Sequence, residues 1–154
     1  LSYGGHALME NRSGLCVDLL ITDATLAEHQ AARQLLTRAR RRRTHTKTLG
    51  ADKGYHVKDF VRHLREHKIK SHIVRIDGRK TPGLDGRTSC TEGYKVSQRK
   101  RKRVKEIFDW LKTVGGMRKT RFIGEARTQI AAYLSAAGYN LLRIAKLQSA
   151  GSAA

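Results

Sequence analysis

Apolar residues recur along the chain in two rhythms, one typical of strands and the other typical of helices. Near the start, "GHALMENR" and "GLCVDLLIT" predict two strands joined by a turn through residues 11–14, where Ser and Gly supply turn chemistry. Residues 25–40 then predict a helix, with Thr25 as its N-cap and Glu28 as the partner of Thr25 in a capping box. The chain is therefore predicted to open with a hairpin and a helix.

A strand, a helix and a further strand follow. "TLGADKGY" predicts a short strand that ends at Asp52. The next segment places four apolar residues at the i, i+3, i+4 and i+7 spacing of one buried helical face: Val57, Phe60, Val61 and Leu64. "KIKSHIVRI" predicts the second strand. This order favours a parallel pair with a right-handed crossover, in which groups at the carboxyl ends of the strands face a ligand.

The second half of the chain combines a loop with two helices. Residues 77–93 lack an apolar period and contain the only proline, so they predict a long loop. "SQRKRKRVKEIFDWLKTVGG" predicts one continuous helix closed by Gly115 and Gly116, with an apolar stripe at Val104, Ile107, Phe108 and Leu111. A last helix over Ala126–Leu147 has its stripe at Ile130, Leu134, Ala137, Leu141 and Ile144. Residues 149–154 predict a flexible tail.

Charge is the strongest compositional signal. The 154 residues include 32 Lys and Arg against 13 Asp and Glu, a net charge of +19. An excess of this size indicates a polyanionic partner, because basic side chains that neutralise phosphates release condensed counterions. The length predicts one domain, over residues 1–148. Cys16 and Cys90 are too few and too isolated for a disulfide framework or a zinc cluster.

Several features disfavour a membrane partner. Basic residues are spread along the chain, and no apolar run reaches the ~18 residues of a spanning helix. Residues 1–9 lack the charged start and the apolar run of a signal peptide. We therefore expect a cytoplasmic protein that binds a polyanion rather than a lipid surface.

Four blocks of the sequence resemble the carboxyl-terminal part of bacterial insertion-sequence transposases of the DDE type, in the family numbered five. These blocks are "GHALMENRSGL", "LGADKGY", "VSQRKRKRVKEIFDWLKTVGGMRKTR" and "AAYLSAAGYNLLRIAKL". They occur in the order of the family and cover nearly the whole chain. The resemblance implies an α/β, RNase H-like fold, in which helices flank one mixed sheet that contains the hairpin and the parallel strands. It also implies three carboxylates that hold two Mg²⁺ ions, because hard cations need oxygen ligands.

By this resemblance Asp52 is the second catalytic carboxylate and a metal ligand. The first lies, in the family, on a strand upstream of "GHALMENR", so we expect a chain that lacks its first strand. Asp18 and Asp23 are the nearby carboxylates, but they are more typical of a polar strand position and a strand-end turn. A structural role for Asp52 is disfavoured: Val57 is too distant for an N-cap, and the adjacent Lys53 side chain should point to the opposite face.

The chain departs from the family motif at the third carboxylate. The tyrosine, arginine, glutamate and lysine of the family motif fall on Gln98, Arg101, Lys105 and Lys112. At ~100° per residue these positions share one face of a continuous helix. Glu106 is the candidate third carboxylate and metal ligand, although it is turned away from that face, and Asp109 lies at its edge. The sequence leaves open a working strand transferase and a catalytically inactive DNA-binding remnant, in which Lys105 pairs with Asp109.

Three basic runs, "RARRRR", "RKRKR" and "RKTR", flank the predicted acidic site. Such runs are often a solvated surface, but together they predict a track for DNA. Arg101 and Lys112 are the candidates for phosphates near the scissile bond. The other candidate DNA-binding residues are Arg99, Arg103, Arg118, Lys119 and Arg121. The family also implies a homodimer on DNA, because two DNA ends must be held.

His63 and His67 have the i, i+4 spacing of a metal-binding pair on a helix. The sequence shows no third partner for them, and Arg62 and Arg65 are neighbours. They are therefore interpreted as solvated side chains.

Overall fold

The computed structural model describes residues 2–151 and shows a mixed α/β protein with small sheets and helices. In chain order the strands and helices are β1 Tyr3–Met9, β2 Cys16–Asp23, α1 Glu28–Arg41, β3 Thr48–Ala51, α2 Lys58–Glu66, β4 Lys70–Ile73, α3 Gly86–Ser89, α4 Glu92–Lys100, α5 Val104–Thr113 and α6 Glu125–Gly151. Short 3₁₀ turns occupy Lys53–Tyr55 and Arg101–Arg103. Two compact units result. The hairpin unit combines residues up to Leu26 with those from Arg103 onward, and the crossover unit is Ala27–Lys102.

The predicted hairpin is confirmed. β1 and β2 pair antiparallel from Tyr3 opposite Asp23 to Met9 opposite Cys16, with a bulge next to Met9. In the turn, the Glu10 carboxylate accepts hydrogen bonds from the backbone N–H of Ser13 at 2.6 Å and from its hydroxyl at 2.6 Å. A carboxylate that satisfies turn donors in this way fixes the geometry of the connection.

The open edge of β2 is covered by amide side chains from α6. Gln129 accepts from the backbone N–H of Ile21 and donates to the carbonyl of Leu19, both at 2.8 Å. Asn140 makes the same pair of bonds with the N–H and the carbonyl of Cys16, at 2.8 and 2.9 Å. The two amides thus satisfy backbone groups that a further strand would otherwise pair with.

These contacts determine which face of α6 is buried. The face that packs on the core of the hairpin unit carries Thr128, Ala132, Ala136 and Tyr139. The stripe predicted to be buried is exposed, and Leu134, for example, is 71% exposed. That prediction was wrong because Gln129 and Asn140 turn their own side of the helix to β2, and small alanines allow close approach there.

The crossover unit agrees with the predicted strand, helix and strand. β3 and β4 pair in parallel from Thr48 opposite Lys70 to Ala51 opposite Ile73. α2 connects them and buries Phe60, Val61 and Leu64 completely. The predicted burial of this helical face is therefore confirmed for these three residues. Asp52 follows immediately after the carboxyl end of β3.

The strands do not form the single mixed sheet that was expected. Within residues 2–151 they form two separate two-stranded sheets, β1 with β2 and β3 with β4. Each unit has its own apolar cluster, one built around Ile107 and the other around Phe60. The structure thus supports a mixed α/β class, and the RNase H-like arrangement stays a prediction.

Local details near helix ends also differ from expectation. Thr25 does not cap α1, whose N-cap is Ala27 without a side-chain bond; Thr25 instead donates to the Asp23 carboxylate through N–H and hydroxyl. The predicted loop 77–93 contains α3 and the start of α4, which are capped by Asp85 and Thr91. Asp85 and Thr91 are preferred N-cap residue types, so this signal was present in the sequence.

The helix predicted across residues 97–116 is interrupted. α4 ends at Lys100, a 3₁₀ turn covers Arg101–Arg103, and α5 begins at Val104. A 3₁₀ turn advances ~120° per residue rather than ~100°, so the single continuous helix on which the motif positions were predicted to share a face is not formed. α6 continues to Gly151, into the predicted tail, whose remaining residues lie outside the described range. No helix within residues 2–151 is long and apolar enough to cross a bilayer.

Candidate functional site

Asp52 lies where β3 ends and the chain turns into the first 3₁₀ segment. Its Oδ1 accepts a hydrogen bond from the backbone N–H of Lys53 at 2.7 Å, so the residue caps the turn that it opens. The sequence pattern did not predict this cap, since the helix that it predicts after Asp52 begins near Val57. The side chain is still 63% exposed. Asp52 therefore combines a local structural role with a carboxylate that solvent and ligands can reach.

Within the crossover unit, a chain of polar contacts connects Asp52 to β4. Arg101 Nη1 lies 3.5 Å from Asp52 Oδ2. Arg101 Nε donates to Gln98 Oε1 at 2.6 Å, and the Gln98 amide in turn donates to the carbonyl of His72 on β4. Two positions of the predicted motif, Gln98 and Arg101, are thus brought to Asp52 as a connected set.

Gly50 allows this set to approach β3 closely. A Cβ atom at Gly50 would lie 2.8 Å from Ser97 Oγ and 3.6 Å from Arg101 Cβ. Real Cβ contacts are longer than the first of these, and Ser97 is itself buried. Glycine is therefore the residue that lets α4 and the following turn pack on the strand beside Asp52.

Gly50→Ala is expected to destabilise the protein by about 1–3 kcal/mol, because the added methyl group overpacks the buried contact with Ser97. Chemical denaturation measures the change in the free energy of unfolding. Gly86→Ala is the matched control, since nothing lies within 4 Å of a Cβ at that position. Equal effects of the two substitutions would show that close packing at Gly50 is unimportant.

The turn after Asp52 is held by a buried histidine that sequence reasoning missed. His56 Nδ1 accepts from the backbone N–H of Ile76 at 2.9 Å, so Nε2 carries the proton and faces Thr81 Oγ1 at 2.9 Å. Burial and the nearby Arg79 and Arg75 hold the pKa of His56 below its usual value, which keeps the ring neutral. His56 thereby ties the segment after β4 to the turn beside Asp52.

The acidic residues of α5 belong to the hairpin unit. Glu106 is exposed, and its charge helps to raise the pKa of Tyr139, although burial of that phenol is the larger cause. Lys105 and Asp109 are both exposed. Among the described residues, no ion pair within 4.0 Å joins them, so the Lys105–Asp109 pair considered for an inactive remnant is not formed.

The carboxylates of Asp18 and Asp23, upstream of Asp52, accept local hydrogen bonds. Asp18 is buried on β2, where its Oδ1 accepts from the backbone N–H of Leu19 at 2.9 Å. Asp23 ends β2, and hydrogen bonds from Thr25 hold the pKa of its carboxyl below the usual value. Both arrangements agree with the polar strand position and the strand-end turn that were expected of them.

The donor set around Asp52 does not fit a pair of hard cations. One carboxylate oxygen is used by the Lys53 N–H and the other faces the Arg101 guanidinium. Over residues 2–151, no cluster of three or more potential metal ligands includes Asp52. Two divalent ions need several converging oxygen ligands. Asp52 alone does not supply such a set.

A basic cavity in the hairpin unit gathers three of the predicted DNA-binding residues. Its volume is about 720 Å³, and Lys112, Arg118 and Lys119 line it together with the aromatic rings of Tyr3 and Phe108. Lys112 comes from α5, and the other two follow that helix. The N–H groups of Val114 and Gly115 bond to the Trp110 carbonyl at the end of α5, and Gly116 follows with a φ of 66°.

The remaining predicted DNA-binding residues do not line this cavity. Arg99 is exposed and lies 3.9 Å from Glu92. Arg103 donates to the backbone carbonyl of Arg12 in the hairpin turn at 2.9 Å. Arg121 is exposed. The cavity also excludes Arg101, which belongs to the Asp52 set.

Comparison with known proteins adds one match. The family model described as the transposase DDE domain matches residues 2–141 of the chain. No curated protein matches the sequence, and no solved structure matches it.

Proposed function

Because the chain belongs to the transposase DDE domain family, we propose that it binds DNA through the basic cavity of the hairpin unit. Members of this family act in DNA transposition and recombination, and the family generally uses divalent metals. The observation that carries the proposal is the convergence of Lys112, Arg118 and Lys119 on one cavity. Cations that converge in this way contact phosphates and position a duplex without reading its sequence.

We further propose Asp52 as a catalytic carboxylate and metal ligand, with Glu106 as the candidate partner, for Mg²⁺-dependent cleavage and transfer at insertion-sequence ends. The exposure of Asp52 at a strand end supports its part of the proposal. We also propose that residues 1–148 form an RNase H-like catalytic domain and that the protein is a cytoplasmic homodimer on DNA. Its proposed place within the transposases is the family numbered five.

Arg101 is proposed to contact a phosphate beside Asp52. Its guanidinium is oriented by the bond to Gln98, while its distance of 3.5 Å from Asp52 Oδ2 is long for a hydrogen bond. A single pair of this length contributes little to stability when one of its members, Asp52, is 63% exposed, although Arg101 is only 25% exposed. Arg101 can therefore exchange the carboxylate for a phosphate oxygen with little loss of stability.

A second candidate function is DNA binding without catalysis. Lys105 is the specific observation that favours it, because this exposed cation stands at the position of the family glutamate. A lysine would add positive charge where cations are to be held. The donor set at Asp52, which does not fit two hard cations, supports the same alternative.

The 154-residue chain, assayed alone, is expected to bind a DNA duplex and not to nick it with Mg²⁺ or Mn²⁺. The physical reason is the shortage of converging carboxylates at Asp52. Conversion of supercoiled plasmid to open circles measures nicking, and a gel shift measures binding. Asp52→Asn is expected to leave binding within about twofold, since phosphates are contacted by cations and not by this carboxylate. Metal-dependent nicking that disappears in Asp52→Asn would contradict the expectation and favour the working enzyme.

A further inference from the structure

The carboxyl-terminal turn of α2 brings together three potential metal ligands that the proposed function does not use. His63, Glu66 and His67 each offer one ligand atom, and these atoms all lie within 4.8 Å of one another. Within residues 2–151 this is the one group of three or more His, Cys, Asp or Glu side chains placed so. The spacings i, i+3 and i+4 put all three on one helical face. Glu66 is the third partner that the sequence pattern had not revealed.

The geometry of the two imidazoles suits metal binding. His67 Nδ1 lies 2.8 Å from the backbone carbonyl of His63. A carbonyl oxygen only accepts, so Nδ1 carries the proton and Nε2 keeps a free lone pair. A backbone carbonyl bonded to one ring nitrogen is the usual way in which a metal-binding histidine is oriented. The two ring centroids are 4.2 Å apart, so both rings are presented on the same side of the helix.

We propose that His63, Glu66 and His67 form a binding site for one borderline divalent cation of the Zn²⁺ class, with water completing a tetrahedral shell. Two imidazoles and one carboxylate are a zinc ligand set, whereas a Mg²⁺ site would be built from oxygen ligands. Zn–N bonds of about 2.0–2.1 Å place tetrahedral ligand atoms roughly 3.3 Å apart. The ligand atoms lie within 4.8 Å of one another and must draw closer to reach that spacing, and the exposure of Glu66 and His67 leaves their side chains room to turn.

Some charged neighbours of this site oppose the binding of a cation, and one favours it. Arg62 lies 4.0 Å from a Glu66 oxygen, and Arg33 on α1 faces His63; both oppose a cation. Glu66 supplies the compensating negative charge. Burial, with smaller contributions from His67 and Arg33, holds the pKa of His63 below its usual value.

A metal ion bound here would cross-link the side chains of the last turn of α2 and stabilise that turn. That helix buries Phe60, Val61 and Leu64 in the crossover unit, so an ion held by its carboxyl-terminal turn stabilises the helix on which the unit packs. A ligand that binds the folded form and not the unfolded chain raises the melting temperature in this way. The three ligands belong to the crossover unit, whereas the residues of the proposed DNA cavity belong to the hairpin unit.

The test is titration of the 154-residue chain with Zn²⁺ alone, followed by calorimetry at pH 7.5. One equivalent is expected to bind and to raise the melting temperature. His67→Ala and His63→Ala should each weaken binding at least roughly tenfold, since even indirect ligand partners cost 10–100-fold in affinity. Glu66→Gln should weaken it while keeping the shape of the side chain. His45→Ala removes an exposed histidine outside the cluster and is the matched control.

Co²⁺ supplies the geometric readout. Tetrahedral coordination by nitrogen and oxygen gives visible d–d bands, which should be present in the wild-type chain and the His45→Ala control and absent in His67→Ala. Circular dichroism without metal confirms that each variant is folded. Unchanged Zn²⁺ affinity in both His63→Ala and His67→Ala would overturn the proposal. A thiolate charge-transfer band would do the same, because it would assign the ion to Cys16 or Cys90.

Discussion

Replacing Lys112, Arg118 and Lys119 together by Gln is expected to weaken DNA binding roughly 100-fold at about 0.1 M salt. These three cations line one cavity, so they can contact neighbouring phosphates of one duplex at the same time. Each lost phosphate contact also lowers the slope of log affinity against log salt by about 0.9, or roughly 3 for the triple variant. Fluorescence anisotropy with a duplex of random sequence, measured across a salt series, gives both quantities.

The matched control removes the same amount of charge elsewhere. Lys58, Lys70 and Lys146 are exposed and lie outside the cavity, so their replacement by Gln is expected to change affinity by less than about fivefold. If the control variant loses as much affinity as the cavity variant, binding is a property of the +19 net charge and the cavity has no special role. Equal binding of two unrelated sequences is also expected, because phosphate contacts carry no base information.

The sequence predicted those elements whose burial is decided by apolar periodicity alone. In α2 the residues Phe60, Val61 and Leu64 are all buried, and in α5 Ile107 and Leu111 are buried. Each helix has one apolar face and one strongly charged face, so only one orientation keeps the charges in water. The parallel pairing of β3 with β4 followed from the order of the elements.

α6 could not be predicted in the same way, because both of its faces are suitable for burial. One face carries branched apolar residues such as Ile130 and Leu134, and the other carries alanines with Gln129 and Asn140. Which face of α6 is buried depends on two side-chain amides that bond to backbone groups of β2. These groups lie more than a hundred positions away in sequence. Apolar periodicity contains no information about such hydrogen bonds, so it selected the wrong face.

In the candidate site, too, some features were predicted from the sequence and others depend on tertiary contacts. The position of Asp52 after β3 followed from the strand pattern, and a basic track followed from composition. The contact between Asp52 and Arg101 was not predicted, because it depends on the close approach at Gly50 and on the 3₁₀ turn that begins at Arg101. Convergence of Lys112 with Arg118 likewise depends on how the chain turns after α5.

The orientation of α6 can be tested with one chemical change made at two positions of the hairpin unit. Leu111 on α5 is 6% exposed and Leu134 on α6 is 71% exposed. Leu111→Ala is expected to lower the free energy of unfolding by about 2–5 kcal/mol, because it leaves a cavity in the core. Leu134→Ala should change it by less than about 0.5 kcal/mol, because its side chain is already in water.

Trp110 provides the readout for this pair of variants. It is the only tryptophan, and its ring lies 6.0 Å from that of the buried Tyr139 in the hairpin unit, so its fluorescence follows the unfolding of that unit. Urea titrations monitored at Trp110 should give a much lower midpoint for Leu111→Ala and an unchanged midpoint for Leu134→Ala. A loss of 2 kcal/mol or more for Leu134→Ala would mean that α6 packs through its branched apolar stripe, as apolar periodicity alone predicts. Gln129 and Asn140 would then not be paired with β2, and Gln129→Ala should be neutral. In the structure described, where the Gln129 amide satisfies two backbone groups of that strand, Gln129→Ala is expected to cost about 1–3 kcal/mol.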